Sequence, residues 1–546
     1  MLLKADATAQ KLRGGYYTPT NLADFLTRYF ASDNTIKTIL EPSCGDGVFL
    51  ESIVKYFNPD NIDYVKAYEI FDEEAEKARR RVANRFNIDV INGDFIEEYF
   101  KLSWEKPFDL IIGNPPYIRY QYLSERQREL QSQILVSHGM KANKLINSWV
   151  CFLVACIQLL SESGKICFIV PAELLQVAYA EDLRLFMANT LSRITLITFE
   201  ELVFDEAEQE IIVLIGEKSK EYGETLIGVK QLKNLDSLNF LDLRDIEYIP
   251  LTHTKDKWTK YFTHDYEVDL IEVLRNDDRF ITFDDIGIVN IGITTGNNKY
   301  FSVDKSTVEK YELSNVTIPL IGRSAHAHGV YFTYDDWMKN VNDNKRAFLV
   351  HFPSDIPYEE YPPLHKKYIE EGEKAKINEG YKCSIRDRWY IVPSVWVPDA
   401  FILRRNDKFP KFVLNNINAV STDTMHRIKF NDGIDKNKVL LSYYNSITFA
   451  FTEINGRSYG GGVLEILPRE VGKIKLPYLQ DFDDKKTEEL ISIIDKNIRN
   501  NGNIEEVLDI VDKEVLIDYL GLDKEVCMLF RNIWKKLMKR RRDRSR

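Results

Sequence analysis

The chain has 546 residues, of which 44% are apolar and 29% are charged, and its net charge is −11. This composition is typical of a globular protein. The acidic balance argues against a nucleic-acid binder with an overall basic surface, although a local basic cleft can still bind phosphates. A chain of this length is expected to form roughly two to four domains, each with its own core.

Six cysteines are scattered along the chain and none forms a Cys-x-x-Cys pair, so neither a zinc motif nor a redox motif is predicted. Scattered thiols in a long chain are typical of a reducing compartment, and we expect a cytoplasmic protein. The N-terminus shows no signal-peptide pattern. The most apolar window, residues 145–160, contains Asn147 and Gln158 and is shorter than the about 20 residues that span a bilayer, so it predicts a buried helix and no membrane association.

The first 220 residues alternate between short apolar runs and helical patterns. Strands are predicted at residues 36–41, 63–70, 88–94, 108–113, 164–170, 193–199 and 210–215, with helices near 48–56, 72–86 and 146–160. Strands separated by helices imply right-handed crossovers and a mostly parallel, seven-stranded sheet that is covered on both faces. The short loop before the seventh strand also allows an antiparallel edge.

The pattern changes after residue 225. Residues 226–478 are rich in aromatic residues, Gly and Pro and predict a second domain that is irregular, β-rich and of the α+β class. Helical patterns return over residues 479–546 and predict a helical extension with a basic tail, which we expect to be a solvated helix end that adds non-specific DNA affinity. The predicted domains are therefore residues 1–225, 226–478 and 479–546.

Polar residues follow the first three strands, at the edge where open parallel sheets bind ligands. The first strand ends in the turn Glu41-Pro42-Ser43-Cys44-Gly45-Asp46-Gly47, and Leu50 stands where a dinucleotide turn would carry its third glycine. Glu69 follows about 20 residues later, where a carboxylate can accept hydrogen bonds from ribose hydroxyls. Asp94 and Phe95 end the third strand and suit the amino group and the face of an adenine. The alternatives are a tight turn, a helix N-cap and loop acids.

The turn has no third glycine and no basic residue to meet a pyrophosphate. A nucleoside ligand without phosphates is therefore favoured, and S-adenosylmethionine is the obvious candidate.

The fourth strand runs into Asn114-Pro115-Pro116-Tyr117. Neither proline can donate a ladder hydrogen bond, so the backbone must leave the sheet there. The resulting stiff loop carries an amide, exposed carbonyls and an aromatic ring. Such a loop can hold a planar group that bears an amine; the alternative is a rigid loop without a ligand.

These motifs follow one another in a recognisable order, beginning with Tyr16-Tyr17-Thr18-Pro19-Thr20. Over about residues 12–220 the chain resembles the gamma class of DNA adenine-N6 methyltransferases of restriction–modification systems, of the TaqI and Eco57I types. The resemblance implies a Rossmann-like methyltransferase fold, S-adenosyl-L-methionine as cofactor and no metal. It also implies methylation of the N6 amino group of an adenine that is flipped out of duplex DNA.

The resemblance assigns roles to individual residues. Asn114 and the Pro115 carbonyl would accept hydrogen bonds from the adenine amino group, Tyr117 would stack on the base, and Phe204, after Val203, would meet its other face. The implied catalytic residues are Asn114, Pro115, Pro116, Tyr117 and Phe204. The implied cofactor-binding residues are Tyr17, Thr18, Pro19, Glu41, Pro42, Ser43, Cys44, Gly45, Gly47, Glu69, Ile70, Asp94, Phe95 and Asn114.

In this family a target-recognition domain follows the catalytic domain. Residues 293–298 and 456–462 resemble segments of such specificity domains, and cations beside aromatic rings suit phosphates and base edges. The predicted DNA-binding residues are Asn297, Asn298, Arg386, Arg388, Arg404, Arg405, Arg457 and Tyr459. His326 and His328 could hold a metal, but without carboxylate or thiol partners in view a surface or DNA-facing loop is favoured.

The expected partner is double-stranded DNA, bound by a monomer. No nuclease pattern is found, so we expect either a separate cognate restriction endonuclease or none. The alternatives are a protein glutamine-N5 methyltransferase, whose substrate amide is also a planar amine, an RNA adenine-N6 methyltransferase, and a DNA-specificity protein without catalysis.

Overall fold

The computed structural model describes residues 18–82, 87–141, 147–201, 203, 210–219, 223–251, 257–262, 265–459 and 462–543. The chain divides into two compact units, with the boundary between Asp265 and Tyr266. Among the described helices, none combines the length and the apolar content that a bilayer crossing requires.

The first unit is built on one sheet with helices between its strands. Its strands are β1 Thr38–Glu41, β2 Tyr64–Glu69, β3 Ile88–Asn92, β4 Phe108–Gly113, β5 Leu160–Pro171, β6 Arg193–Phe199, β7 Ile211–Glu217, β8 Leu226–Leu232 and β9 Ile249–Pro250. Its helices are α1 Thr20–Ala31, α2 Val48–Tyr56, α3 Asp72–Val82, α4 Phe95–Leu102, α5 Glu125–Ser137, α6 Ser148–Gln158 and α7 Glu181–Thr190.

The strand order is β3-β2-β1-β4-β5-β7-β6-β8-β9. Strands β1 to β5 pair in parallel, and β7 lies between β5 and β6 and is antiparallel to both. The carboxyl ends of β1, β2, β3 and β4 therefore meet at one edge of the sheet. Helix α6 is apolar on every side and buried from Ser148 to Ile157, as expected for a helix inside a core.

The α/β class is confirmed, but the predicted strand number and first domain boundary are wrong. The described part of the sheet has nine strands, because β8 pairs with β6 along its whole length, from Leu226 to Leu232, and β9 pairs with β8. Both added strands lie in the segment that we assigned to the second domain. The division between the units falls 40 residues after the predicted one (265 − 225).

The second unit is a mixed α+β assembly. Its helices are α8 Asp265–Arg275, α9 Phe283–Ile286, α10 Asn298–Phe301, α11 Lys305–Tyr311, α12 Tyr334–Asn342, α13 Pro363–Lys374, α14 Tyr381–Ser384, α15 Lys436–Tyr443, α16 Ser446–Asn455, α17 Pro468–Val471, α18 Asp484–Arg499, α19 Ile504–Val511 and α20 Lys524–Asp543.

Its strands are short. They are β10 Phe280–Thr282, β11 Gly287–Ile291, β12 Ser302–Val303, β13 Thr317–Ile321, β14 Tyr331–Phe332, β15 Phe348–Val350, β16 Ala400–Leu403, β17 Arg405–Asn406, β18 Phe412–Asn415, β19 Val420–Ser421, β20 Met425–Phe430, β21 Arg457–Tyr459, β22 Val463–Glu465 and β23 Lys475–Pro477. The two larger sheets have the orders β11-β20-β16-β18-β14 and β12-β15-β13-β19.

The predicted division at residue 479 is also wrong, because the C-terminal helices share the core of the second unit. The rings of Phe449 and Trp534 lie 5.4 Å apart, and those of Phe451 and Phe530 lie 5.8 Å apart. Helices with one apolar face need a partner surface to be stable. Helices α18 to α20 find it on α15 and α16, so they do not form a separate extension.

The basic end of α20 is not a free solvated tail either. The Arg541 guanidinium is buried against the buried carboxylate of Glu453, with N–O distances of 2.9 to 3.1 Å. It also donates to the carbonyls of Gly462 and Asp407. Its neighbour Arg542 forms an exposed pair with Asp407.

Replacing Arg541 with methionine should lower the free energy of unfolding by about 3–5 kcal/mol, because it leaves Glu453 as an uncompensated buried charge. The matched Arg542→Met change removes a solvent-exposed pair and should cost about 1 kcal/mol or less. Urea unfolding followed by tryptophan fluorescence measures both. Equally small effects would show that the end of α20 is solvated after all.

Candidate active site

Glu69, at the end of β2, connects three strand ends. Its two carboxylate oxygens accept hydrogen bonds from the backbone N–H groups of Gly45 (3.0 Å) and Phe71 (2.9 Å). Its backbone carbonyl accepts from Gly93 N–H (3.0 Å) and from the Asn92 side chain (3.0 Å). Burial raises the pKa of Glu69, and the backbone donors offset part of that effect. Each carboxylate oxygen keeps a second lone pair for a ligand hydroxyl.

The two glycines of the first turn have different roles, although both are among the implied cofactor-binding residues. Gly47 has a φ of +88° and approaches α3 so closely that a Cβ atom there would lie 2.9 Å from the Cα of Ala78. Gly45 has a φ of +54°, and a Cβ atom there would meet nothing within 4 Å. Gly47 therefore serves helix packing, whereas Gly45 leaves the backbone open to a ligand.

Glu41, at the end of β1, is a buried acid at this edge. Burial holds the pKa of Glu41 well above the usual value, and the nearby carboxylates of Asp46 and Glu69 raise it further. Within the described residues no donor lies within hydrogen-bonding distance of its Oε2 atom. A buried carboxylate without a donor is costly, and a cationic ligand group would relieve that cost.

The rest of the first turn connects it to the Asn114–Tyr117 loop. The Ser43 hydroxyl donates to the backbone carbonyl of Asn114 (3.2 Å), and Cys44 N–H donates to the carbonyl of Tyr68 (2.9 Å). Burial raises the pKa of the Cys44 thiol, so its side chain is not a reactive thiolate. Pro42 is also buried.

The Asn114 amide is oriented from the opposite side by the N-terminal motif. Its Nδ2 atom donates to the hydroxyl of buried Thr18 (3.2 Å). Pro19 precedes α1, and its carbonyl accepts from Leu22 and Ala23 N–H groups. The amide oxygen of Asn114 is therefore directed by a hydrogen bond on the nitrogen. Tyr17 lies outside the described residues.

Tyr117 is fixed more tightly than a freely stacking ring. Only 7% of its surface is exposed, and its hydroxyl donates to the carbonyl of Ile169 in β5 (3.0 Å). Pro115 is buried and Pro116 is half-buried. Stacking of Tyr117 on a base stays a prediction, since a small part of the ring is accessible. Phe204, predicted for the other face, lies outside the described residues.

Ser148, the first residue of α6, holds this loop and was missed in the sequence. Its hydroxyl donates to the carbonyl of Pro116 and accepts from Ile118 N–H (3.0 Å). Its own N–H donates to the Ile118 carbonyl (2.9 Å). Three hydrogen bonds therefore fix the loop to the buried helix. The signal was Ser148 itself, a hydroxyl residue at the start of a strongly apolar run.

The predicted adenine contacts are only partly accessible. Phe95 is 2% exposed and packs between Tyr68 (5.9 Å between ring centroids) and Phe152 (5.3 Å), so its ring is a core residue. Asp94 caps α4 through Ile96 N–H (2.9 Å) and accepts from the Gln127 side chain (3.0 Å). Ile70, in contrast, is 48% exposed beside Glu69 and offers an apolar face.

The arginines predicted to bind DNA already have acceptors within the second unit. Arg386 donates to the carbonyls of Thr294, Thr295 and Trp389, and burial lowers its pKa. Arg388 donates to the carbonyls of Ser354 and Ile356. The remaining three pair with carboxylates: Arg404 and Arg405 with Glu465, and Arg457 with Glu470. Their DNA contacts stay predictions, and any such contact must compete with these bonds.

The predicted asparagines shape the turn before α10. Asn297 caps that helix by accepting from the N–H groups of Lys299 and Tyr300, and Asn298 bonds to Thr295 and Asp423. The Tyr459 side chain lies outside the described parts. No group of three or more metal-ligating side chains is found among the described residues.

Comparison with known proteins places both units in one family. The sequence model described as Eco57I restriction-modification methylase matches residues 29–204, and that of the Type II methyltransferase M.Eco57I C-terminal domain matches residues 255–516. The chain belongs to the Eco57I-type restriction-modification methylases. The family resemblance predicted from the motifs is thereby confirmed, and the chain is a DNA methyltransferase of the restriction–modification class.

Relatives extend over most of this Eco57I-type chain. The Type II methyltransferase M.AccI of Acinetobacter calcoaceticus is 23% identical over 522 residues, which cover 91% of this chain and 92% of M.AccI. M.HindII of Haemophilus influenzae is 27% identical over 369 residues, or 62% of this chain and 65% of M.HindII. The structure of the restriction–modification enzyme MmeI in complex with DNA has a TM-score of 0.60 at 10% identity, covers 98% of this chain and 80% of MmeI, and shows likeness of fold alone.

Replacing Glu41 with glutamine should stabilise the ligand-free methylase. The pKa of the buried carboxyl lies above its ordinary 4.5, so the folded state loses stability relative to the unfolded state as the pH rises from 4.5 through the raised value. The variant escapes this loss, and its gain in melting temperature should be larger at slightly alkaline than at mildly acidic pH. Calorimetry at both pH values, with the exposed Glu129→Gln as control, measures this. A variant that is destabilised at both would contradict it.

Replacing Ser148 with alanine should lower the methyl-transfer rate by about 10- to 100-fold, because a misplacement of the Asn114–Tyr117 loop by about 1 Å is enough for that loss. The binding constant for the cofactor should change little, since Glu41 is not in contact with Ser148 in any described hydrogen bond and the hydrogen bonds of Glu69 to Gly45 and Phe71 stay intact. Steady-state kinetics and a cofactor titration separate the two. Ser137→Ala, which removes a hydroxyl at the end of α5, is the control, and equal rates for both variants would refute a positioning role of Ser148.

Proposed function

We propose that this protein transfers a methyl group from S-adenosyl-L-methionine to the N6 amino group of an adenine in duplex DNA, as the modification enzyme of a restriction–modification system. The observation that carries the proposal is the adjacency of two sites. An oriented amide, Asn114, directly follows β4, and the buried acids Glu41 and Glu69 end β1 and β2. β1 pairs directly with β4, and a Cβ atom on Gly113 would lie 3.6 Å from Glu41 Cγ.

The residues present fit the cofactor. Its α-amino group would give Glu41 Oε2 the donor that the described residues lack, and its ribose hydroxyls would donate to the remaining lone pairs of Glu69. The open space at Gly45 admits close approach of the ligand, and exposed Ile70 offers an apolar face for the adenine ring. Asp94, which would accept from the adenine amino group, follows β3, and β3 pairs with β2. When bound, the cofactor supplies a methyl group that is activated by its sulfonium.

The chain contributes position and hydrogen-bond acceptors to the chemistry. The amino group of the flipped adenine would donate to the Asn114 side-chain oxygen and to the Pro115 carbonyl, which directs the nitrogen lone pair out of the base plane. The base is held by a loop that Thr18, Ser43 and Ser148 fix in advance. Positioning and fixed dipoles of this kind supply most of the rate in such transfers.

The presence of a large second unit favours a nucleic-acid substrate over a small-molecule substrate. It spans Tyr266–Arg542, and the relatives that share both halves of the sequence carry names of Type II methyltransferases. We therefore assign target recognition to this unit, with double-stranded DNA as the partner, a monomer as the working form, and either a separate endonuclease or none. A glutamine amide would also fit the Asn114 loop, so the substrate must be tested directly.

Replacing Asn114 with alanine should lower methyl transfer at least about 10²-fold, the size of effect seen when one preorganised hydrogen-bonding group is removed from a catalytic site. Asn58→Ala, which removes a cap on a surface turn of the same unit, is the control. Single-molecule sequencing of unmethylated plasmid after incubation with the enzyme and cofactor reads the product. One short methylated motif supports the proposal, whereas protein methylation with unmodified DNA would favour the glutamine alternative.

A further inference from the structure

Two segments of the second unit bring exposed cations together. Arg323 follows β13, and Lys345 and Arg346 precede β15, its antiparallel partner. The two segments end side by side, since a Cβ atom on Gly322 would lie 2.5 Å from the Arg346 carbonyl oxygen. We call residues 323–329 together with Lys345 and Arg346 the cationic loop.

These cations differ from the arginines singled out in the sequence. Arg323, Lys345 and Arg346 are all exposed, and within the described ranges no salt bridge joins any of them to a carboxylate. Arg323 and Lys345 both lower the pKa of His326, after burial, which is the largest cause. The two cations therefore lie near the same imidazole.

The backbone of the cationic loop is held by two polar side chains from other parts of the chain, the buried Asn340 and the half-buried Lys411. The buried Asn340 donates to the His326 carbonyl (3.0 Å) and lies 3.3 Å from His328 Nε2. The Lys411 ammonium donates to the carbonyls of Ala327 (2.6 Å) and His328 (3.3 Å), and burial lowers its pKa to about 8. Removing a lysine from water costs free energy. The two hydrogen bonds of Lys411 offset part of that cost and fix the backbone of this surface segment.

The far end of the loop is fixed as well. The Asp495 carboxylate accepts from Val330 N–H (2.8 Å) and pairs with Arg499 (2.7 Å), which in turn pairs with buried Asp336 (2.6 Å). Gly329 is needed there, since a Cβ atom would lie 2.1 Å from Asp495 Oδ1. Surface loops are usually mobile and tolerant of change; this one is preorganised, and its cations point to solvent from a fixed frame.

We propose that the cationic loop is a phosphate-binding site for the backbone of duplex DNA, with Arg323 and Lys345 as the contacting cations. The inference rests on the proposed function, because it assumes a DNA substrate. Fixed, unpaired cations suit phosphates, whereas the paired arginines would have to give up internal acceptors first. Phosphate contacts set the register of the protein on the duplex and carry no sequence information.

The test is the double variant Arg323→Gln with Lys345→Gln. Affinity is measured as a function of salt for two short duplexes, one with the mapped methylation motif and one with a scrambled sequence. Each lost phosphate contact should reduce the slope of log affinity against log salt by about 0.9, and binding to both duplexes should weaken alike. Lys524→Gln, an exposed cation at the start of α20, is the control. Melting temperature and cofactor affinity should not change.

Two outcomes overturn the inference alone. If the wild type binds DNA and the double variant keeps its affinity and salt slope, the cationic loop does not contact phosphates. If binding weakens only for the duplex with the motif, the cations read bases instead. If the wild type binds neither duplex and methylates no DNA, the proposed function fails, and the inference fails with it.

Discussion

The arrangement of the first unit depends on the hydrogen bonds that the Glu69 carboxylate makes between neighbouring strand ends. A parallel sheet brings its carboxyl ends to one edge, but loops that leave this edge are free to diverge unless something joins them. The Glu69 carboxylate accepts from Gly45 N–H in the turn after β1 and from Phe71 N–H two residues further along the chain, and its backbone carbonyl accepts from Gly93 N–H after β3. The Ser43 hydroxyl then extends the connection to Asn114. The site is therefore one hydrogen-bonded edge and not a set of independent loops.

The same edge stores an unfavourable interaction. Glu41 is buried beside Asp46 and Glu69, so three acids share a region of low dielectric, and burial with mutual repulsion raises the pKa of Glu41. Among the described residues no donor offsets the cost at Glu41 Oε2. A bound cationic group would lower this cost, because it would form a charge-assisted hydrogen bond with the buried Glu41 carboxylate. Strain of this kind at a site is compensated by the rest of the fold, here by the largely buried strands β1 and β4 and helix α6.

Much of the first unit was predictable because its signals are local. Strand ends, glycine turns and the Asn-Pro-Pro-Tyr segment are read from adjacent residues, and all lie at one edge. The predictions that were wrong or incomplete concern contacts between residues that are distant in sequence. The burial of Phe95 depends on Phe152, and the roles of Ser148 and Gln127 depend on loops more than thirty residues away. Strand β8 was assigned to the second domain because the composition changes at residue 226. The sheet of the first unit continues past that point, since β8 pairs with β6.

The arginines and lysines show most clearly that a sequence does not reveal contacts between distant residues. A sequence shows where arginines lie but not which are already neutralised, so Arg404 and Arg457 were predicted to bind DNA and Arg323 was not. In the structure the first two balance Glu465 and Glu470, and Arg541 balances Glu453 inside the core. Charge that is spent on internal partners contributes little to an external field, because each pair is nearly neutral at a distance. The attraction of an acidic protein for a polyanion must therefore come from the cations left unpaired. Asn340 and Lys411 hold the backbone of the loop that carries such cations, and nothing in the sequence marks either residue for that role.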